Sequence, residues 1–104
     1  MSNTRIETLR NLLEQNPKDS FARYGLAMEY AKESSHEEAV AEFLTLISFD
    51  PDYLYAYFHC GQSLEKLGRI DEAREIYSRG VEAAGRKGDA HARDELQDAL
   101  DQLG

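Results

Sequence analysis

Residues 39–61 read Ala39-Val-Ala-Glu-Phe-Leu-Thr-Leu-Ile-Ser-Phe-Asp-Pro-Asp-Tyr-Leu-Tyr-Ala-Tyr-Phe-His-Cys-Gly61. Apolar residues recur three and four apart as far as Phe49, through Val40, Phe43, Leu44 and Ile47. That period predicts a helix over 36–49. Asp50-Pro51 stops it, because proline disfavours helix in the residue before it. An aromatic-led helical pattern restarts at once over 53–67, and Gly68 supplies the left-handed residue at its end. Small residues at Ala39, Ala56 and Gly61 mark places where two helices can come close. The stretch predicts a helical hairpin and its neighbour, and the rest of the chain reads as partial copies of it.

Towards the N-terminus, residues 4–15 carry Ile6, Leu9, Leu12 and Leu13 on one face. A Thr4–Glu7 capping-box pattern opens them. Gln15-Asn16-Pro17 ends that helix. Residues 19–33 form the next one, capped by Asp19 or Ser20. It is apolar around most of its circumference, so it must be contacted on more than one side. Ser34-Ser35 breaks it, and Ser35 with Glu38 makes a second capping-box pattern. Residues 70–84 carry Ile70, Ala73, Ile76, Tyr77, Val81 and Ala84, followed by a turn at Gly85–Gly88. A last helix, about 89–103, places Ala92, Leu96, Ala99, Leu100 and Leu103 on one face and its acids on the other. The reading is all-α, with about six helices and no strand signal.

Composition agrees. Of 104 residues, 41% are apolar and 31% charged, with two prolines and no tryptophan. That balance suits a helical globular chain. The net charge of -8 would repel nucleic acid and anionic lipid. The single cysteine, Cys60, cannot form an internal disulfide. No apolar run approaches signal-peptide or membrane-span length. A cytoplasmic address is expected, and Met1 with a closing helix suggests a complete chain.

The chain's two prolines, Pro17 and Pro51, set a step that recurs. The same step links Ala22 to Ala56, Ala27 to Gly61, Glu38 to Glu72, Ala39 to Ala73 and Phe43 to Tyr77. One unit carries Tyr57, Cys60-Gly61, Leu64, Gly68, Ala73, Tyr77 and Gly80. The other carries Arg23, Leu26-Ala27, Tyr30, Ser34, Ala39, Phe43 and Leu46, followed by Pro51. On these residues the chain resembles the tetratricopeptide repeat family. Arg23 departs from that pattern where a large aromatic belongs, Ser34 where a turn glycine belongs, and Leu46 where a small residue belongs.

The resemblance implies a right-handed superhelix of antiparallel helix pairs in a single domain, 1–104. Within it, 4–15 would be the second helix of an incomplete unit, 20–51 and 54–85 two full repeats, and 89–103 a capping helix. The cap is out of strict register. A further equal step would put His91, Asp94, Glu95 and Asp98 in the core, whereas moving the frame by two positions puts Ala92, Leu96 and Leu100 there. The shift is preferred because burying unpartnered acids is costly, and the Gly85–Gly88 turn would absorb it. About three repeats are needed for such a stack to hold, so both end helices should matter.

No catalytic constellation stands out. His36, His59 and His91 lie on separate helices, and His59 and Cys60 are helical neighbours that point about 100° apart. No serine sits in a nucleophile elbow, and no glycine cluster cradles phosphate. No metal or cofactor is expected, and no enzymatic activity.

What remains is a surface. By resemblance, the first helix of each unit lines a concave groove that holds peptides or partner helices. The matching positions are Phe21, Tyr24, Met28 and Lys32 in one unit, and Tyr55, Phe58, His59, Gln62 and Lys66 in the other. Gly25, matching His59, would leave a notch in the wall. Aromatic and methionine side chains give large contact area at low entropy cost. The same spacing also suits plain core packing, and a flanking helix could cover the face; both readings stay open here. The Lys and Asn with which some family members clamp a chaperone's terminal carboxylate are replaced by Tyr24, Met28, Phe58 and Gln62, so that activity is disfavoured. Asp94 and Asp98 of the cap would face one end of the groove, favouring a segment that carries Lys or Arg. The function expected is a non-enzymatic adaptor that binds a protein or peptide segment. The alternatives are a homodimer formed through Phe21, Tyr24, Tyr55 and Phe58, or a non-catalytic subunit of a larger complex.

Overall fold

A computed structural model describes residues 3–104. Six helices follow one another: α1 (Thr4–Gln15), α2 (Ser20–Lys32), α3 (His36–Phe49), α4 (Leu54–Lys66), α5 (Ile70–Lys87) and α6 (Ala90–Gln102). No strand occurs among the described residues, and no helix there is long and apolar enough to cross a membrane.

The helices start where short polar side chains satisfy free backbone N–H groups. Asp19 accepts from the Ala22 amide at 3.0 Å, and Asp89 from the Ala92 amide at 2.9 Å. Two expected capping boxes do not form. Asn3, one residue before Thr4, is the cap of α1 and accepts from the Ile6 amide at 3.2 Å. Ser35 stands at the cap position of α3 but makes no side-chain capping bond. Its own amide already donates to the Tyr30 carbonyl at 2.8 Å to close α2. Glu38 therefore has no free N–H to reach back to.

The turns repeat in three dimensions as they do in sequence. Ser34 has φ 63° and Gly68 φ 76°. The serine thus adopts the left-handed conformation expected of a turn glycine. After each, the next amide bonds back across the turn: Ser35 to Tyr30 O at 2.8 Å, and Arg69 to Leu64 O at 2.9 Å. At the prolines, Asp19 N–H donates to Asn16 O and Tyr53 N–H to Asp50 O, each at 3.1 Å. Arg23 also finds its equivalent. Its guanidinium donates to Pro17 O at 2.9 Å, just as the Tyr57 hydroxyl donates to Pro51 O at 2.5 Å. Arg23 is held further by Glu42 at 2.6 Å and lies 5.9 Å from the Phe49 ring centroid, within cation–π range.

The α5 terminus departs from expectation. The helix does not stop at 84 but continues through Gly85 to Lys87, and Gly88, at φ 71°, ends it. Residue 85 holds the place of Pro17 and Pro51 without being proline, so nothing removes the amide or crowds the turn before it. The shift of the cap is therefore taken up by extra helix, not by a loop.

Each helix packs on the next, and α2 also meets α4, as α4 meets α6. Among the described residues, α1 and α3 do not approach each other, nor do α3 and α5. The odd helices splay while the even ones touch, so α2, α4 and α6 line the inner, concave side. Tyr57, Tyr77, Phe43, Leu46, Leu64, Leu96 and Cys60 are sealed between the layers. In the cap, Ala92 and Leu96 are buried as the shifted register predicts, but Leu100 is only partly buried. It lies one helical turn beyond Leu96, nearer the end of the stack.

Gly80 makes room for Leu96: a Cβ there would stand 2.9 Å from a Leu96 methyl and 2.8 Å from Tyr57 Cβ. Leu96→Ala is expected to cost about 2–5 kcal/mol, and Leu100→Ala distinctly less, in urea unfolding. A Leu96→Ala melt matching the parent would mean that α6 is not docked. The glycines of α4 and α5 should behave oppositely. Gly61→Ala would drive a methyl into the Tyr77 ring and lower Tm, whereas Gly85 has nothing within 4 Å. Gly85→Ala should stabilise by about 0.5–1 kcal/mol through helix propensity; a loss of stability there would contradict the continuous helix.

Candidate functional site

The inner helices enclose a cleft of about 820 Å³, whose lining includes Met28 and Lys32 of α2, His36 of α3, His59, Gln62, Ser63 and Lys66 of α4, and Gln102 of α6. Five of the nine predicted groove residues meet here: Met28, Lys32, His59, Gln62 and Lys66. Phe58 instead borders a hollow of about 280 Å³ between α4 and α6, with Glu65, Tyr77, Glu95 and Asp98. Gln62, Glu65 and Gln102 line both spaces, so the two adjoin. Tyr24 and Tyr55 border a third hollow of about 290 Å³, beside Tyr53, Asp52 and Lys87. Phe21 projects into solvent at 79% exposure. The structure thus divides eight of the nine among three neighbouring surfaces and leaves Phe21 apart from them.

Aromatic rings form the wall between these spaces. Tyr24 packs on Tyr53 with centroids 5.1 Å apart, and on His59 at 6.0 Å. His59 lies over Phe43 at 6.4 Å and meets Phe58 edge-on at 5.4 Å. Phe58 continues to Tyr77 at 6.4 Å. These rings serve as both core and wall, because each helix of the inner layer shows one side to its partner and another to the cleft.

Several expectations are corrected here. Gly25 leaves no notch, because a Leu9 methyl of α1 lies 3.4 Å from where its Cβ would be. The cap directs Glu95 and Asp98 at the groove, not Asp94, which lies beside Arg93 at 3.9 Å. Tyr53, Ser63, His36 and Glu65 were missed as lining residues. Tyr53 precedes α4 and folds back, which helical periodicity does not reveal. Ser63 is buried among apolar neighbours, with its hydroxyl 3.3 Å from His36 Nδ1. The one available signal was the register, since Ser63 matches Glu29, a buried acid held by Arg5 at 2.8 Å.

The chemistry of these groups is subdued. Burial pushes the Cys60 thiol up to about 12, so it holds its proton and is no nucleophile at neutral pH. Burial also raises the Tyr24 hydroxyl, with Tyr53 and Tyr55 adding to the effect. Tyr77 is raised by burial and by its hydrogen bond to Glu65. Among the described residues, no three His, Cys, Asp or Glu side chains are grouped to hold a metal ion.

His59 is the titratable group of the wall. Burial among rings lowers its pKa below the ordinary 6.5, against smaller opposing effects of Gln62 and Glu95, because an apolar setting disfavours the charged imidazolium. The folded state therefore binds fewer protons than the unfolded one, and stability must fall as pH drops through this range. The stabilising contribution is complete above 6.5 and is lost towards the lower folded value. His59→Gln should flatten that part of the stability–pH curve, and the His59 ring should titrate below 6.5 by NMR. An imidazole that titrates above that value would mean the ring is not packed as described.

A family model described as tetratricopeptide repeat matches residues 1–104. A tetratricopeptide repeat domain protein from Salinibacter ruber, solved in solution, is 40% identical and superposes with a TM-score of 0.78, covering 85% of this chain and 89% of that one. A TPR repeat-containing protein of Pseudomonas aeruginosa is 26% identical over 91 residues, 88% of this chain and 87% of that protein. Protein DIA2 of Eremothecium gossypii is 33% identical over 75 residues, which is 72% of this chain but only 11% of that protein's length. With its paired helices, its repeated turns and a match along its whole length, the chain belongs to the tetratricopeptide repeat family.

Proposed function

We propose that the protein is a non-enzymatic interaction module that holds an extended peptide or partner segment in its concave cleft. The family's fold supports a protein–protein interaction module in general terms; the use of this cleft is our reading. In it, α1 is the second helix of an incomplete unit, α2–α3 and α4–α5 are the two full repeats, and α6 is the cap. The observation that carries the proposal is the cleft of about 820 Å³, walled by Met28 and the His59 ring and edged by polar side chains. Such a site combines apolar contact area with a few orienting polar groups. His59 is already packed against Tyr24, Phe43 and Phe58, so little of its side-chain freedom is left to lose on binding.

A second reading is favoured by one observation. Phe21 and Tyr55, at matching positions of the two repeats, are 79% and 46% exposed. An edge of this kind could join two copies of the chain. Tyr24 and Phe58 are less suited to that role, being half-buried against rings of their own chain.

Gln62 is exposed yet lines the cleft, so Gln62→Trp fills the space without disturbing the core. Peptides drawn from a randomised pool by the parent protein should lose at least tenfold in affinity for this variant and bind Phe21→Ala normally. Unchanged affinity for Gln62→Trp would remove the cleft from consideration. A concentration-dependent dimer abolished by Phe21→Ala would establish the second reading instead.

A further inference from the structure

The charges on the concave side are sorted into two blocs, one on each flank of α4. We propose that the cleft takes an extended partner segment carrying an acidic and a basic side chain in a fixed order, so that the segment lies in one direction only. This rests on the reading of the cleft as a peptide site and adds the chemistry of its occupant.

The positive bloc is Lys32 and Lys66, both lining the large cleft. Among the described residues neither is in an ion pair, whereas Arg5, Arg23, Arg69, Arg74 and Arg86 each hold a carboxylate. Glu29, which lines the same cleft, is already neutralised by Arg5 at 2.8 Å. Each lysine stands in the last turn of its helix, where the backbone end carries about half a negative charge. Two full positive charges outweigh roughly one negative, so a net attraction for a carboxylate remains.

The negative bloc is Glu65, Glu95 and Asp98 around the smaller hollow. Glu65 borders both spaces, but its carboxylate accepts the Tyr77 hydroxyl, which draws it towards the smaller one. Glu95 lies 2.6 Å from His91. Among the described residues, none of the three is held by lysine or arginine. Phe58 offers an apolar face there for the methylene stem of a lysine or arginine. Glu65 and Lys66 are consecutive on α4, so they point about 100° apart. Gln62 and Gln102 border both spaces and can hydrogen-bond a peptide backbone that crosses between them.

The test uses short labelled peptides with a neutral Ala/Ser/Leu background. They carry Glu and Arg a few residues apart in either order, Glu alone, Arg alone, or neither. Binding is followed by fluorescence anisotropy at low and high salt. One order should bind tighter than its reverse and than either single-charge peptide, by about two- to fivefold for each charge. The advantage should shrink at high salt. Lys32→Glu with Lys66→Glu should remove the benefit of the peptide's acid and leave that of its base. Glu95→Lys with Asp98→Lys should do the reverse. None of these four side chains is buried, and thermal melts of the variants verify folding. Equal affinity for the two orders, in peptides that still lose affinity with Gln62→Trp, would overturn this inference and leave the peptide-site reading intact. Peptides that bind but are indifferent to Gln62→Trp would overturn both.

Discussion

The ring of Tyr77 occupies the volume that a side chain at residue 61 would need. A Cβ on Gly61 would stand 2.7 Å from the ring's Cδ1 and nearer still to the adjoining Cε1 and Cζ, far inside van der Waals contact. That single approach sets how closely α4 and α5 can lie. Ala56 and Ala73, both fully buried, keep the rest of the hairpin equally tight. The ring has little freedom to yield, because its hydroxyl is tied to Glu65 and the whole side chain is sealed from solvent. The first hairpin solves the same problem with Ala27 and Phe43, both fully buried. It carries one methyl more on the helix and one hydroxyl less on the ring.

The hairpins stack unevenly, and the groove follows from that. Close contacts between α2 and α4, and between α4 and α6, draw the inner layer together while the outer helices diverge. An inner helix in this arrangement has one face against its own partner, a second against the preceding unit and a third towards the cleft. This is why α2 and α4 are apolar around so much of their circumference. It is also why the division between core and site is indistinct. His59 is lowered in pKa by its burial, packed on Tyr24 and Phe43, yet it also lines the cleft. Stability and the cleft wall draw on the same rings.

The fold was legible because its determinants are local and repeated. Two prolines one repeat apart, with small and large residues at fixed offsets between them, specify helix ends and crossings that need no long-range information. Failures came where a local signal competed with its surroundings. The Ser35–Glu38 pattern is a good capping box in isolation, but the tight turn had already engaged the Ser35 amide. Gly85 looked like a breaker because glycine often is one, but a single glycine without proline keeps its amide and does not stop a helix already anchored by the buried Ala83 and Ala84. The candidate site was less legible. Five of nine groove positions share the main cleft, and the other four fall on adjoining surfaces or in solvent. Register gives the face of a helix correctly. It does not give how far a neighbouring helix covers that face, which decided Gly25, and it does not place residues outside helices, such as Tyr53.

No single hairpin owns the cleft. Its lining is drawn from α2, α3, α4 and the end of α6, so it comes into being only when the units stack. In a repeat array, stability is approximately a sum of unit and nearest-neighbour terms, and a short array has few neighbours to spare. The close approach of Leu96 to Gly80 therefore does more than close the core. It fixes the helix that carries Glu95, Asp98 and Gln102 to the cleft margin. Loosening the cap would disperse one flank of the groove before the hairpins themselves unfold, while Lys32 and Lys66, on α2 and α4, would stay in place. The two flanks thus stand on different units of the stack, and the one carried by the terminal helix is the first to respond to any change in how α6 docks.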